Sequence, residues 1–155
     1  MRSLRAVFCL VTACAMFVCP VLLTGCGVAH DATLSGQEAR APIELPARER
    51  ARLRAGMRFY LECVEGITDA LGENKMAEVA RSAKRCGMDM VESISFAEVL
   101  TLPPEFLALS LDTHQKFDDL AHEAAAQGTR SSALKQLGAI LANCTACHAA
   151  YRLAP

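Results

Sequence analysis

Several patterns are scarce in this chain of 155 residues. No stretch alternates polar and apolar residues, and β-branched runs are few, which argues against a core built from strands. Charge of one sign is also missing. Sixteen basic residues stand against seventeen acidic ones, a formal net charge of −1, and no electrostatic footprint for nucleic acid results. The chain has no second C-x-x-C and no H-x-x-x-H pair, so a zinc site lacks ligands. No βαβ pattern frames a thioredoxin-like dithiol. No constellation of catalytic acid, base and nucleophile stands out, and the chain does not read as an enzyme.

Cysteine, by contrast, is abundant, and the eight residues fall into groups with different fates. Cys9, Cys14 and Cys19 lie in an apolar run over 6–23 that follows Arg2 and Arg5, the pattern of an export signal. The run ends in Leu23-Thr24-Gly25-Cys26, which resembles a bacterial lipobox. By that resemblance residues 1–25 are a lipoprotein signal peptide and Cys26 receives lipid. The mature chain is then held by acyl chains to a membrane on its periplasmic side. Each buried methylene contributes about 0.8 kcal/mol to such an anchor. After the leader, fourteen basic and seventeen acidic residues remain. Residues 26–45, with Gly, Ser, Thr, Pro and no sustained period, read as a flexible tether.

Near the C-terminus stands Cys144-Thr145-Ala146-Cys147-His148. A C-x-x-C-H run is an attachment pattern for c-type haem. Two thiols three residues apart on one side of a helix can add to the two vinyl groups of one porphyrin. The following His reaches the iron from the same side. The expected cofactor is one covalent haem c, with Cys144 and Cys147 as thioethers and His148 as proximal ligand.

Between the tether and this motif, helical periods dominate. Pro46 opens a first helix whose stripe is Leu53, Met57, Tyr60, Val64, Ile67 and Leu71, with Gly72 as its stop. A second helix over 75–94 carries Met76, Val79, Ala83, Cys86, Met90 and Ile94, with Gly87 as a bend or early end. Pro103 and Pro104 open a third, with Phe106, Leu107, Leu111, Phe117, Leu120 and Ala124 inward and Gly128 closing it. Thr129 or Ser131 caps a fourth, whose stripe of Leu134, Leu137, Leu141, Cys144, His148 and Tyr151 puts the haem ligand on the buried face. The fold class expected for 46–155 is all-α, an antiparallel four-helix bundle around the haem. Cys63 and Cys86 lie at similar distances from the turn at 72–74. In an oxidising compartment they form a disulfide or remain two buried thiols.

The motif closes with Tyr151 and Arg152, and Cys144-x-x-Cys147-His148-x-x-Tyr151-Arg152 at the end of the last helix resembles the class II c-type cytochromes, the cytochrome c-prime group. The resemblance implies the bundle, one haem, His148 on the iron, and a first-helix residue at the opposite face. Low-spin members use Met there, and Met57 is the matching residue. Members often pair through their first two helices, so a homodimer is implied as well. The family's usual Arg one turn before the distal position is Leu53 here, flanked by Arg52 and Arg54. His114, beside Phe117, is the rival distal ligand, and Met88 and Met90 are weaker ones. His30 and His122 read as solvated.

The function expected is periplasmic one-electron transfer to a redox partner protein. The alternative is a five-coordinate haem that binds or senses nitric oxide or carbon monoxide. A third reading is an accessory lipoprotein whose haem is structural. The arginines at 48, 50, 52, 54 and 58 crowd the positive end of the first helix, where propionates, lipid headgroups or an acidic partner would offset their repulsion.

Overall fold

A computed structural model describes residues 39–91 and 102–155. The expected export signal, the expected lipidation site Cys26, most of the expected tether and the segment 92–101 lie outside the described residues. The chain is mostly helical: α1 (Ala47–Gly72), α2 (Met76–Lys84), a 3-10 turn (Met88–Met90), α3 (Pro104–Ala125) and α4 (Arg130–Ala150), with two three-residue strands, β1 (Ala41–Ile43) and β2 (Tyr151–Leu153). Among the described residues no helix is long and apolar enough to cross a membrane.

Helix limits follow from local chemistry. Pro46 precedes α1 and Pro104 opens α3, where a missing N–H costs nothing. Glu73 and Lys75 return their N–H groups to Asp69 and Ala70 at the end of α1, and Asn74 takes the left-handed conformation of that turn. After α3 that conformation falls to Gln127, and the Gly128 N–H bonds the Glu123 carbonyl. The Thr129 hydroxyl accepts from the Ser132 N–H at 3.1 Å and caps α4.

The second helix is shorter than its stripe implies. It stops at Lys84, because Cys86 and Gly87 tighten into three-residue turns and Gly87 is extended. Asp118 of α3 causes this. Its carboxylate occupies the space a Cβ on Gly87 would need, and it accepts from the Met88 N–H at 2.8 Å and from Lys84 Nζ at 3.0 Å. Burial opposes the charged carboxylate, but these donors prevail and hold Asp118 below its usual range.

The core joins Cys63, Ile67, Ala70 and Leu71 of α1 to Val79 and Ala83 of α2, Cys86, Phe117, Leu120, Ala121 and Ala124 of α3, and Ala133, Leu137 and Ile140 of α4. Cys63 and Cys86 are disulfide-bonded, with Cα atoms 6.4 Å apart. The buried face of α4 differs from the expected one. Leu134 and Leu141 are 49% and 42% exposed, while Ala133 and Ile140 are buried. The face runs Ala133, Leu137, Ile140 and on to Cys144 and Cys147, both half-buried, and His148 is exposed. The small Ala133 belongs to the same buried cluster as Ala121 and Ala124 of α3, so close approach of the two helices outweighs the larger leucines.

The end of the expected tether is structured. β1 pairs in parallel with β2, Ala41 opposite Tyr151 and Ile43 opposite Leu153. Ile43 is 3% exposed, and its carbonyl accepts from the Ala154 N–H at 3.0 Å. Burying one isoleucine and satisfying a short ladder anchors residues 41–43, so the folded unit begins before Pro46.

Candidate functional site

The apolar stripe of α1 has two fates. Its second half, Ile67 and Leu71, enters the core, whereas Leu53, Met57 and Tyr60 are only half-buried. These three line a cleft of about 620 Å³, together with Leu45, Gly56, Phe59, Met90, Leu102, Phe106, Ser110 and His114. That size suits a cofactor. Its walls are mostly apolar, with Glu49, Arg52, Arg58 and Glu62 as charged members. One oxygen of Glu49, Oε2, is buried there without a hydrogen-bond partner. An unsatisfied polar atom on an apolar wall marks an incomplete site.

Tyr60 lies in the wall of this cleft. Burial pushes its phenol above the ordinary value, the negative charge available to Cys144 pushes it further, the Ser110 hydroxyl pulls it back, and Cys147 adds to the rise. The thiols are free of disulfide and half-buried, and burial raises both above the usual thiol range. They sit in the last two turns of α4, next to the negative end of its dipole, which also disfavours a thiolate. An activated redox dithiol has the opposite surroundings, a helix N-terminus and a lowered pKa. Among the described residues no three His, Cys, Asp or Glu side chains converge as a metal site.

His114, the rival distal ligand, is 3% exposed and has both ring nitrogens engaged. Nδ1 lies 2.8 Å from the Cys86 carbonyl and must donate to it. Nε2 lies 2.6 Å from the Tyr60 hydroxyl, which donates to it. The imidazole is therefore neutral and oriented, and burial holds its pKa below the ordinary value, against the carbonyls of Cys86 and Gly87 and the charge of Asp118. Tyr60 also stacks on Phe117 at 5.9 Å. Ligating iron through Nε2 would require His114 to give up its bond to Tyr60.

Met57 lines the cleft, as its place on the stripe requires, and Met90 joins it there, its Cε 3.5 Å from where a Cβ on Gly56 would stand. Tyr151 stands edge-on to Phe106 at 5.4 Å, which ties the residue after the motif to the cleft wall. Arg152 lies in β2, paired with Pro42. Of the arginine run, Arg52 and Arg58 reach the cleft, and Arg50 donates to the Pro155 carbonyl at the C-terminus. No local spacing relates Tyr60 to His114, which lie 54 positions apart on separate helices, so the sequence carries no signal for this pair.

The residues fit a covalent haem at the level of donor chemistry. Two unactivated thiols, an exposed imidazole one residue on, an apolar cleft and two thioether sulfurs are all present. No protein-family model, no characterised protein and no solved structure matches this chain.

Proposed function

We propose that this chain is an exported monohaem c-type cytochrome whose helices form an antiparallel four-helix bundle around one haem. Cys144 and Cys147 hold the haem by adding their S–H bonds across its two vinyl groups. His148 would supply its imidazole to the iron, and Met57 is the residue we assign as the second ligand. The carrying observation is the pair of half-buried thiols that continue the core face of α4, one turn before Tyr151, which stands edge-on to Phe106 in the wall of an apolar cleft.

When bound, the haem supplies one-electron exchange between ferric and ferrous iron. The chain supplies the rest. Leu53, Phe59 and Phe106 line the cleft with apolar surface that would keep water from a bound haem. The Tyr60–His114–Cys86 network fixes one wall, so little reorganises when the electron moves. Neutral His114 places no added charge beside the iron. Arg52 and Arg58 present guanidiniums suited to carboxylate groups at the cleft edge. A lipid at Cys26 would hold the domain on the periplasmic side of a membrane, where it meets a redox partner protein.

Optical spectra of the haem-loaded chain test this reading. A low-spin Soret band with a weak sulfur-to-iron band toward the red is expected, and Met57→Ala should abolish the latter while His114→Ala and Met90→Ala keep it. Met57 is only half-buried in a cleft of about 620 Å³, and if it does not ligate, the second reading is a five-coordinate iron that binds nitric oxide or carbon monoxide. A high-spin wild-type spectrum that shifts with carbon monoxide would establish that reading instead.

A further inference from the structure

The two chain ends meet beside the motif. β1 leads through three residues, Glu44, Leu45 and Pro46, into α1, which carries Met57 three turns on. β2 begins three residues after His148. The strands pair along their whole length. Ala154 N–H extends the ladder to Ile43, Arg50 of α1 donates to the Pro155 carbonyl, and Arg40 Nη1 donates to the His148 carbonyl at 3.2 Å. The last contact spans 108 positions and ends on the backbone of the residue that supplies the imidazole.

We propose that β1, β2 and Arg40 form a clamp that positions the proximal and distal ligands on one iron, with Arg40 as a positioning residue for His148. The proposal rests on the haem reading above. α4 ends at Ala150, so the last carbonyls of the helix, that of His148 among them, have no intrahelical donor. A terminal turn carrying such carbonyls frays unless they are bonded. Arg40 bonds the His148 carbonyl, and its cation also suits the negative end of the helix dipole. The β pair does the complementary task. It ties the start of α1 to the end of α4, and the described contacts between these two helices are otherwise few, since α4 packs mainly on α3.

The consequence is a division of labour at the cleft. The core beneath it, with the disulfide, sets stability. The clamp above it holds His148 and Met57 at a separation that lets both bind. Loosening the clamp frees the weaker ligand first, and the iron opens to an exogenous ligand. The residues before Arg40 lead back toward Cys26, so the clamp also lies where the anchoring segment joins the domain.

The test uses the full chain, loaded with haem in a bacterium that matures c-type cytochromes. The variants are Arg40→Ala, Ala154→Pro, which deletes the N–H bonded to Ile43, and the two combined. Val79→Ala, a buried change on α2, is the control for lost stability. The readouts are spin state by optical and paramagnetic resonance spectra, carbon monoxide affinity of the ferrous form, and Tm. The expected result is a low-spin wild type, a high-spin fraction in the clamp variants, and carbon monoxide affinity at least tenfold higher in the double variant, with Val79→Ala lowering Tm and leaving spin state alone. Arg40→Lys should restore part of the low-spin fraction. Coloured clamp variants with wild-type spin state and affinity overturn the clamp and leave the haem reading intact. A high-spin wild type overturns the clamp because no distal ligand is then held. A wild type that takes up no haem overturns the reading beneath it.

Discussion

Replacing both Cys63 and Cys86 by alanine removes the one covalent link within the core. The bond closes a loop with a sequence separation of 23. Restricting an unfolded chain over a loop of that length is worth about 3.4 kcal/mol at 25 °C in the chain-entropy treatment. The described residues number 107, and at ~2.1 cal/mol/K each their unfolding entropy converts that loss into a fall in Tm of about 15 °C. Both sulfurs are also fully buried, so truncation adds a packing loss in the same direction. The effect reaches the cleft, because the Cys86 carbonyl orients His114 and His114 holds Tyr60. Thermal melts by circular dichroism, followed by refolding to establish reversibility, give the number. A fall in Tm below about 5 °C would refute the reasoning, since a loop of this length cannot cost so little if the bond is formed and the unfolded chain is free.

Tyr60→Phe leaves the buried Nε2 of His114 without its donor and should cost about 1–3 kcal/mol in urea unfolding, with no change in the disulfide. His114 is held neutral in the folded state, its pKa lowered from the ordinary 6.5. The unfolded chain therefore takes up the proton first. This contribution to stability is whole above pH 6.5 and is lost as pH falls below it toward the lowered folded value. The difference in urea midpoint between pH 7.5 and pH 5 should be smaller in His114→Gln than in wild type, and an equal difference would contradict the assignment. Gly87→Ala should destabilise by about 1–3 kcal/mol, because its Cβ meets the Asp118 carboxylate. Combined with Asp118→Ala the cost should be less than the sum of the two, and strict additivity would show that the contact does not form.

Much of the helical frame was legible because its signals are local. Pro46, Pro104 and Thr129 mark starts through groups on their own residues, and the stripes of α1 and α3 repeat often enough to fix a face. The rest depends on contacts that no window of sequence holds. α2 ends early because a carboxylate from α3 comes against Gly87, thirty-one positions away. The buried face of α4 is set by small residues on α3, so leucines at 134 and 141 misled a reading that weighs size. The β pair joins residues 41–43 to 151–153, each too short to carry a period. At the cleft, the place of Met57 on the α1 stripe was legible from spacing and Met57 lines the wall, whereas the residues of the C-x-x-C-H motif are not among those lining it. The network that occupies both nitrogens of His114 was not legible, because its three members come from three separate segments brought together by folding.

The central claim is a covalent one, and intact mass tests it most directly. The full chain should be produced in a bacterium that matures c-type cytochromes, purified, treated with an alkylating reagent under denaturing conditions, and weighed. The account predicts one haem added to the polypeptide, resistant to acid-acetone extraction, with neither Cys144 nor Cys147 alkylated. A chain of unmodified mass whose Cys144 and Cys147 both take the reagent would contradict it.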